Sequence, residues 1–206
     1  MILIADLGAT NARFCVTKDG LKYSNTANYQ INQFDSMEGL CLAYLEEKGL
    51  KDINKAVIGA AAPILGDKVS FVNTSLEFSI KNLENKIFSG GLIVVNDLEL
   101  QAYALLNLKA EDLSYIGEKK LTEGPKILVA PGTGLGLAGI SGETVIATEA
   151  GHINISDKQF RPDLRAIIDS FTKENYRAPT YEDFLSGKGI TYFYQTFSGK
   201  TNHELS

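Results

Sequence analysis

The sequence predicts an α/β protein: a mixed sheet with helices on both faces, followed by the opening of a second element of the same plan. Three observations carry this. Three short strand-like runs separated by turns open the chain. Helix and strand patterns then alternate as far as Leu108. From Ile127 onward the opening hairpin plan recurs at an offset of 125 residues.

The elements follow in order. Ile2–Ala5 is a short apolar run, followed by the loop Asp6-Leu7-Gly8-Ala9-Thr10-Asn11. Ala12–Val16 is a second strand, Asp19-Gly20 a turn, and Leu21–Tyr29 a third strand. A helix is expected from about Ser36 to Lys48. Asp35 or Ser36 caps it, Met37, Leu40, Cys41, Tyr44 and Leu45 form one apolar face, and Gly49 stops it. Ala56–Ala60 reads as a buried strand that ends before Pro63, and Val69–Val72 as a shorter one. Leu83–Phe88 closes a helix. Leu92-Ile93-Val94-Val95 is an unbroken apolar strand of the kind covered on both faces. It runs into Asn96-Asp97, where a helix to about Leu108 begins.

Ile127–Ala130 then echoes the first run and leads into Pro131-Gly132-Thr133-Gly134-Leu135-Gly136. Leu137–Ile140, the turn Ser141-Gly142 and Thr144–Ala147 complete a second hairpin. The polar stretch Gly117–Gly124 is the expected boundary, giving a first domain at 1–120 and a second at 121–206.

Composition bounds the function. The 206 residues, 44% hydrophobic and 22% charged, match a globular chain with a real core. The net charge of −5 argues against broad nucleic-acid binding. No run approaches the roughly 18 apolar residues of a membrane span. Met1–Asp6 lacks the basic start of a secretory signal. The expectation is therefore a cytoplasmic protein without membrane or nucleic-acid partners. Cys15 and Cys41 lie far apart among apolar residues and read as buried free thiols, and neither His152 nor His203 has zinc-site spacing.

Gly- and Thr-rich turns suit phosphate. Without Cβ atoms the backbone approaches an anion closely, and its amides and a Thr hydroxyl donate to the oxygens. Asp6 beside the first turn is placed to hold Mg²⁺, directly or through water. Two other phosphate patterns fail. Gly134–Gly139 matches GxGxxG, but Ser141-Gly142 and β-branched residues follow where a helix must open. Gly199-Lys200-Thr201 resembles the end of a Walker A loop, yet Tyr194 stands where its leading Gly belongs. A lone Gly-rich turn is ordinarily just a turn; the pair in a repeated frame reverses that preference.

Asp6-Leu7-Gly8-Ala9-Thr10-Asn11-Ala12-Arg13 resembles the bacterial glucokinase family. The likeness continues through Ala62-Pro63-Ile64 with Gly66-Asp67, then Asn73, Asn96-Asp97, Pro131–Gly136, Glu149-Ala150-Gly151-His152 and Glu182–Gly187. The resemblance implies a ribonuclease-H-like or actin-like ATPase fold, a mixed five-stranded sheet that is duplicated, with two lobes closing on sugar and ATP. Ala9 and Ala150 stand where the family usually has Gly, and Leu76 replaces an aromatic. Family members continue well past this end, so the second copy is expected to be incomplete.

The resemblance assigns ATP and Mg²⁺ as cofactors and glucose as substrate. Asp97 takes the proton of the sugar's 6-hydroxyl as that oxygen attacks the γ-phosphorus, a role open beside its plain use as a helix cap. Asn73, Asn96, Asp97, Glu149, His152 and Glu182 bind sugar hydroxyls, for which carboxylates and amides are suited. Ala5, Asp6, Leu7, Gly8, Ala9, Thr10 and Asn11 with Gly132, Thr133 and Gly134 hold the phosphates, and Asp6 the metal. Taken singly, His152 reads as a structural histidine and Glu182 as a first-turn helix acid. A sugar-binding or regulatory module without the adenosine half is the alternative, and an actin-like ATPase of another kind is a third reading. A homo-oligomer covering the incomplete second lobe is a further expectation.

Overall fold

The computed structural model describes residues 1–8, 10–71, 76–117, 124–155 and 161–199. They form two compact units, Met1–Gln101 and Ala102–Ser206.

The first unit is built on a five-stranded mixed sheet. Its strands are β1 (Ile2–Leu7), β2 (Asn11–Thr17), β3 (Tyr23–Gln30), β4 (Lys55–Ala60) and β8 (Gly91–Asn96), in the order β3-β2-β1-β4-β8. β1, β2 and β3 run antiparallel as a meander, while β4 and β8 run parallel to β1. Alternation sets the buried face: Leu3, Ala5 and Leu7 point inward beside Phe14, Val16, Ala56 and Ile58. α1 (Met37–Glu47) covers them with Met37, Leu40, Cys41 and Tyr44, one helical stripe. The Ser36 hydroxyl accepts the Gly39 N–H at its start, and Gly49, in a left-handed conformation, follows its end. On the opposite face Leu100 presses against Gly59, where a Cβ would lie 2.6 Å from the leucine methyl. Both faces of the sheet thus carry a helix.

A small antiparallel sheet inserts after β4: β5 (Ile64–Leu65), β6 (Lys68–Ser70) and β7 (Glu77–Ser79). β6 ends earlier than the expected Val69–Val72 strand, and Val72 lies outside the described residues. α2 (Ile80–Lys86) begins before the expected Leu83 because the Ser79 hydroxyl accepts the Asn82 N–H. α3 (Asp97–Leu105) starts where β8 stops. The reading of β8 as covered on both faces needs correction. It pairs with β4 alone among the described strands, and Ile93 is 59% exposed, because an edge position leaves one face of the strand open. Cys41 is buried as expected, whereas Cys15 is only half-buried, since it projects from β2 on the face away from α1.

The second unit opens with an antiparallel meander of β9 (Lys126–Pro131), β10 (Leu135–Ser141) and β11 (Thr144–Thr148), ordered β11-β10-β9. Ala138 and Ile140 of β10 pack with Ala102, Leu106, Leu128 and Val145. Three helices follow, of which the sequence reading anticipated only the second, through Glu182 as a first-turn acid. They are α4 (Pro162–Asn175), α5 (Tyr181–Leu185) and α6 (Gly187–Ser198), joined around Ile167, Ile168, Phe171 and Phe184. Among the described residues no helix is long and apolar enough to cross a membrane.

Candidate active site

In the first unit the candidate residues gather at one end of the parallel strands. Register aligns Leu7 with Ala60 and Ala60 with Asn96, so the turn after β1 and the end of β8 are two strands, about 10 Å, apart. Ligands of open α/β sheets sit outside such carboxyl ends. The turn is tight: the Gly8 N–H donates to the Asn11 carbonyl at 2.9 Å, and the Ile31 N–H to the Thr10 carbonyl at 2.9 Å. Asn11 Oδ1 accepts from Gln30 Nε2 at 2.7 Å. Asp6 and Arg13 are cross-strand partners joined by an ion pair of 2.9 Å, open to solvent.

Asn96 and Asp97 occupy the strand-to-helix junction. Asn96 Nδ2 donates to the Ala62 carbonyl at 3.2 Å, tying the end of β8 to the segment after β4. The Leu98 N–H donates to Asn96 Oδ1 and to Asp97 Oδ1, both at 2.9 Å. Side-chain capping of the first turn of α3 is therefore real: Asn96 precedes the helix and Asp97 is its first residue. Ala9 and Asn73 lie outside the described residues.

In the second unit three segments interlock. The turn after β9 is closed by the Gly132 N–H donating to the Gly134 carbonyl at 2.8 Å, and the Gly132 carbonyl accepts the Gly187 N–H at 2.8 Å. Glu182, on the first turn of α5, accepts the Leu135 N–H through Oε2 at 2.9 Å. Its other oxygen lies 4.0 Å from His152 Nδ1, and Glu149 lies 3.8 Å from His152 Nε2. Glu149, His152 and Glu182 thus converge beside the Gly132–Leu135 turn. His152 and Glu149 remain well exposed and Glu182 half-buried, so the cluster faces solvent.

Local chemistry explains the convergence. The stretch after His152 pairs with the stretch before Glu182: the Ile155 N–H donates to Pro179 and the Tyr181 N–H to Ile153, around a bridge between Asn154 and Thr180. Gly151 lies so close to Leu135 that a Cβ would meet the leucine carbonyl at 2.1 Å, and only glycine fits. Ala150, where the family usually has Gly, sits in a one-turn 3₁₀ helix without a positive φ, so its methyl group costs no backbone strain. A hollow of about 520 Å³ beside the cluster is lined by Thr133, Phe171, Glu174, Glu182, Asp183 and Lys188.

Sequence reasoning missed the backbone partner of Glu182 and the brace behind it. The Thr180 hydroxyl and the Asp183 carboxylate form a capping box on α5. Arg177 forks onto that carboxylate and, with the Thr180 hydrogen bonds, holds the Asp183 pKa down at about 2. The pattern of Thr followed three residues later by Asp was the available signal.

The glucokinase family model matches residues 3–205. A glucokinase of Neisseria gonorrhoeae is 34% identical over 98% of this chain and 62% of its own length. The crystal structure of a glucokinase from an Antarctic psychrotroph superimposes with a TM-score of 0.80 at 26% identity, covering 97% of this chain and 66% of that one. A glucokinase from Balamuthia mandrillaris, solved in complex with glucose, shares the fold with a TM-score of 0.72 at 21% identity, over 99% of this chain and 65% of that one. The chain spans less than two thirds of the length of its Neisseria relative. With the match running through nearly every described element, the chain belongs to the glucokinase family.

Proposed function

We propose that this chain carries the sugar- and phosphate-binding parts of an ATP-dependent glucose kinase, with Asp97 as the general base toward the 6-hydroxyl. The observation that carries the reading is the convergence of Glu149, His152 and Glu182, from separate segments, beside the Gly132–Leu135 turn. A sugar hydroxyl both donates and accepts, and two carboxylates with an imidazole meet that need. In this reading Asn73, Asn96 and Asp97 complete the sugar ligands from the first unit. Residues Ala5–Asn11 and Gly132–Gly134 hold the phosphates, and the β9–β11 meander is the beginning of a second copy of β1–β3.

Magnesium fits as an ion carried largely by the nucleotide. Such ions keep most of their waters and need one or two carboxylates. Asp6 offers one at the first turn, already oriented by Arg13, and the described residues contain no cluster of three metal-binding side chains. Phosphoryl transfer is mainly positioning and charge neutralisation, which the two turns and a bound ion would supply.

A second reading, a sugar-binding module without turnover, is supported by the same convergence of Glu149, His152 and Glu182, which would hold a sugar whether or not it is phosphorylated. Calorimetric titration with glucose, run beside an assay of glucose- and ATP-dependent phosphorylation, separates the two. Binding with turnover supports the kinase, and binding alone selects the module. An absence of glucose binding overturns both. A homo-oligomer and a cytoplasmic setting belong to the proposal and are tested by native mass and by fractionation.

A further inference from the structure

Glu182 stands on a helix of five residues, far too short to hold its own conformation in water. Something outside α5 must fix the direction of its carboxylate. We propose that Arg177 is a positioning residue for sugar binding, acting on Glu182 through Asp183 and Thr180; this rests on Glu182 being a sugar ligand, as read above.

The linkage can be followed atom by atom. α4 ends in the left-handed Tyr176, which turns the chain so that Arg177 faces back across the start of α5. The Arg177 guanidinium donates twice to Asp183, through NH1 to Oδ2 and NH2 to Oδ1, each at 2.6 Å. NH1 also reaches the Ala178 carbonyl at 3.2 Å, and the guanidinium lies over the Phe171 ring at 5.1 Å. Asp183 Oδ2 accepts the Thr180 N–H at 2.8 Å and the Thr180 hydroxyl at 2.9 Å. Thr180 is the residue bridged to Asn154, two places after His152, and Tyr181 beside it donates to Ile153.

One guanidinium therefore anchors the point from which His152 and Glu182 both take their direction. A surface ion pair is ordinarily worth little. This one differs in three respects: it is bidentate, its carboxylate is 19% exposed, and its Oδ2 also accepts from Thr180 in the turn that leads into Glu182. Hydrogen-bonded recognition tolerates small displacements poorly, so loosening the turn should be felt at the sugar and at the Leu135 amide.

The test compares the parent chain with Arg177→Met, which keeps a stem over Phe171, and Arg177→Lys, which keeps the charge without the fork. Two quantities are read: glucose affinity by calorimetry, and hydrogen exchange of the Leu135 amide by NMR. A purely structural role in joining α4 to α5 would not move the second. Arg177→Met is expected to weaken glucose binding about tenfold and to speed Leu135 exchange by a similar factor, with Arg177→Lys between it and the parent. Parent-like affinity and parent-like exchange in folded Arg177→Met overturn the proposal. If that variant does not fold, the same result in Arg177→Lys overturns it. A parent that binds no glucose overturns the kinase reading instead, while Leu135 exchange still reports whether Arg177 positions Glu182.

Discussion

The Glu182 carboxylate accepts the main-chain N–H of Leu135 at 2.9 Å, across 47 residues of sequence. An acid from the cluster proposed to bind sugar thereby holds the turn proposed to bind phosphate. The same oxygen lies where a Cβ on Gly134 would be, at 2.6 Å, so the turn and the acid constrain each other.

Replacing Gly134 by Ala sets that methyl against the carboxylate, the mobile end of a side chain. The acid yields and its hydrogen bond to Leu135 is lost. Glucose affinity should fall about tenfold while urea unfolding shows a loss of only about 1–2 kcal/mol. Gly151→Ala meets the Leu135 carbonyl itself at 2.1 Å, backbone that has nowhere to go. Its cost should be about 3 kcal/mol or more. A Gly151→Ala protein as stable as Gly134→Ala would show that the interlocked turns do not exist in solution.

Asp97→Asn retains an oxygen for the Leu98 N–H but cannot accept a proton. Steady-state kinetics should show kcat lower by about 10²–10⁴-fold. Thermal unfolding should stay near the parent value, since Asn caps helices as well as Asp does. Unchanged kcat in an active parent would remove Asp97 from the proton transfer.

Asp183 gives an acid signature. Its pKa is held at about 2, below the ordinary 3.8, chiefly by the Arg177 hydrogen bonds and then by those from Thr180. A depressed folded pKa means stability that is fully present above pH 3.8 and is lost as pH falls toward 2. Urea midpoints followed from pH 6 to pH 2.5 should therefore converge for the parent and Asp183→Asn. A constant gap across that window would mean the fork adds no charge-dependent stability.

The thiols should separate by burial. Burial pushes the Cys41 pKa up to about 12 and raises that of the half-buried Cys15 less. Since the thiolate is the reacting species, a disulfide reagent at pH 8 should modify Cys15 slowly and Cys41 only after denaturation. Mass spectrometry of the native protein counts the labels. Rapid double labelling would show that α1 does not stay packed on the sheet.

Much of the first unit was legible because its signals are local. α1 carries a cap, an apolar stripe and a terminal glycine within fourteen residues, and the junction of β8 with α3 falls at Asn96-Asp97 as read. α4 and α6 also had signals that went unused. Pro162 stands at the first helical position with Ile167, Ile168 and Phe171 on one face, and Ser186 and Gly199 bracket α6. The exposure of Ile93 was not legible, because an apolar run does not say whether its strand lies at the centre or the edge of a sheet.

The candidate site divides in the same way. By itself the sequence determined which residue types are available and where the chain turns. Glycines and prolines act on their own φ angles, and a side chain caps a helix within three residues of itself. Only the tertiary structure decided that Glu182 meets Leu135, that His152 lies beside Glu182, and that Arg177 stands behind both. The two contacts of Glu182 join residues far apart in the chain, and no local preference encodes them. All three exist because packing Phe171 and Phe184 into one apolar cluster brings α4 and α5 together and leaves their polar groups one another as partners.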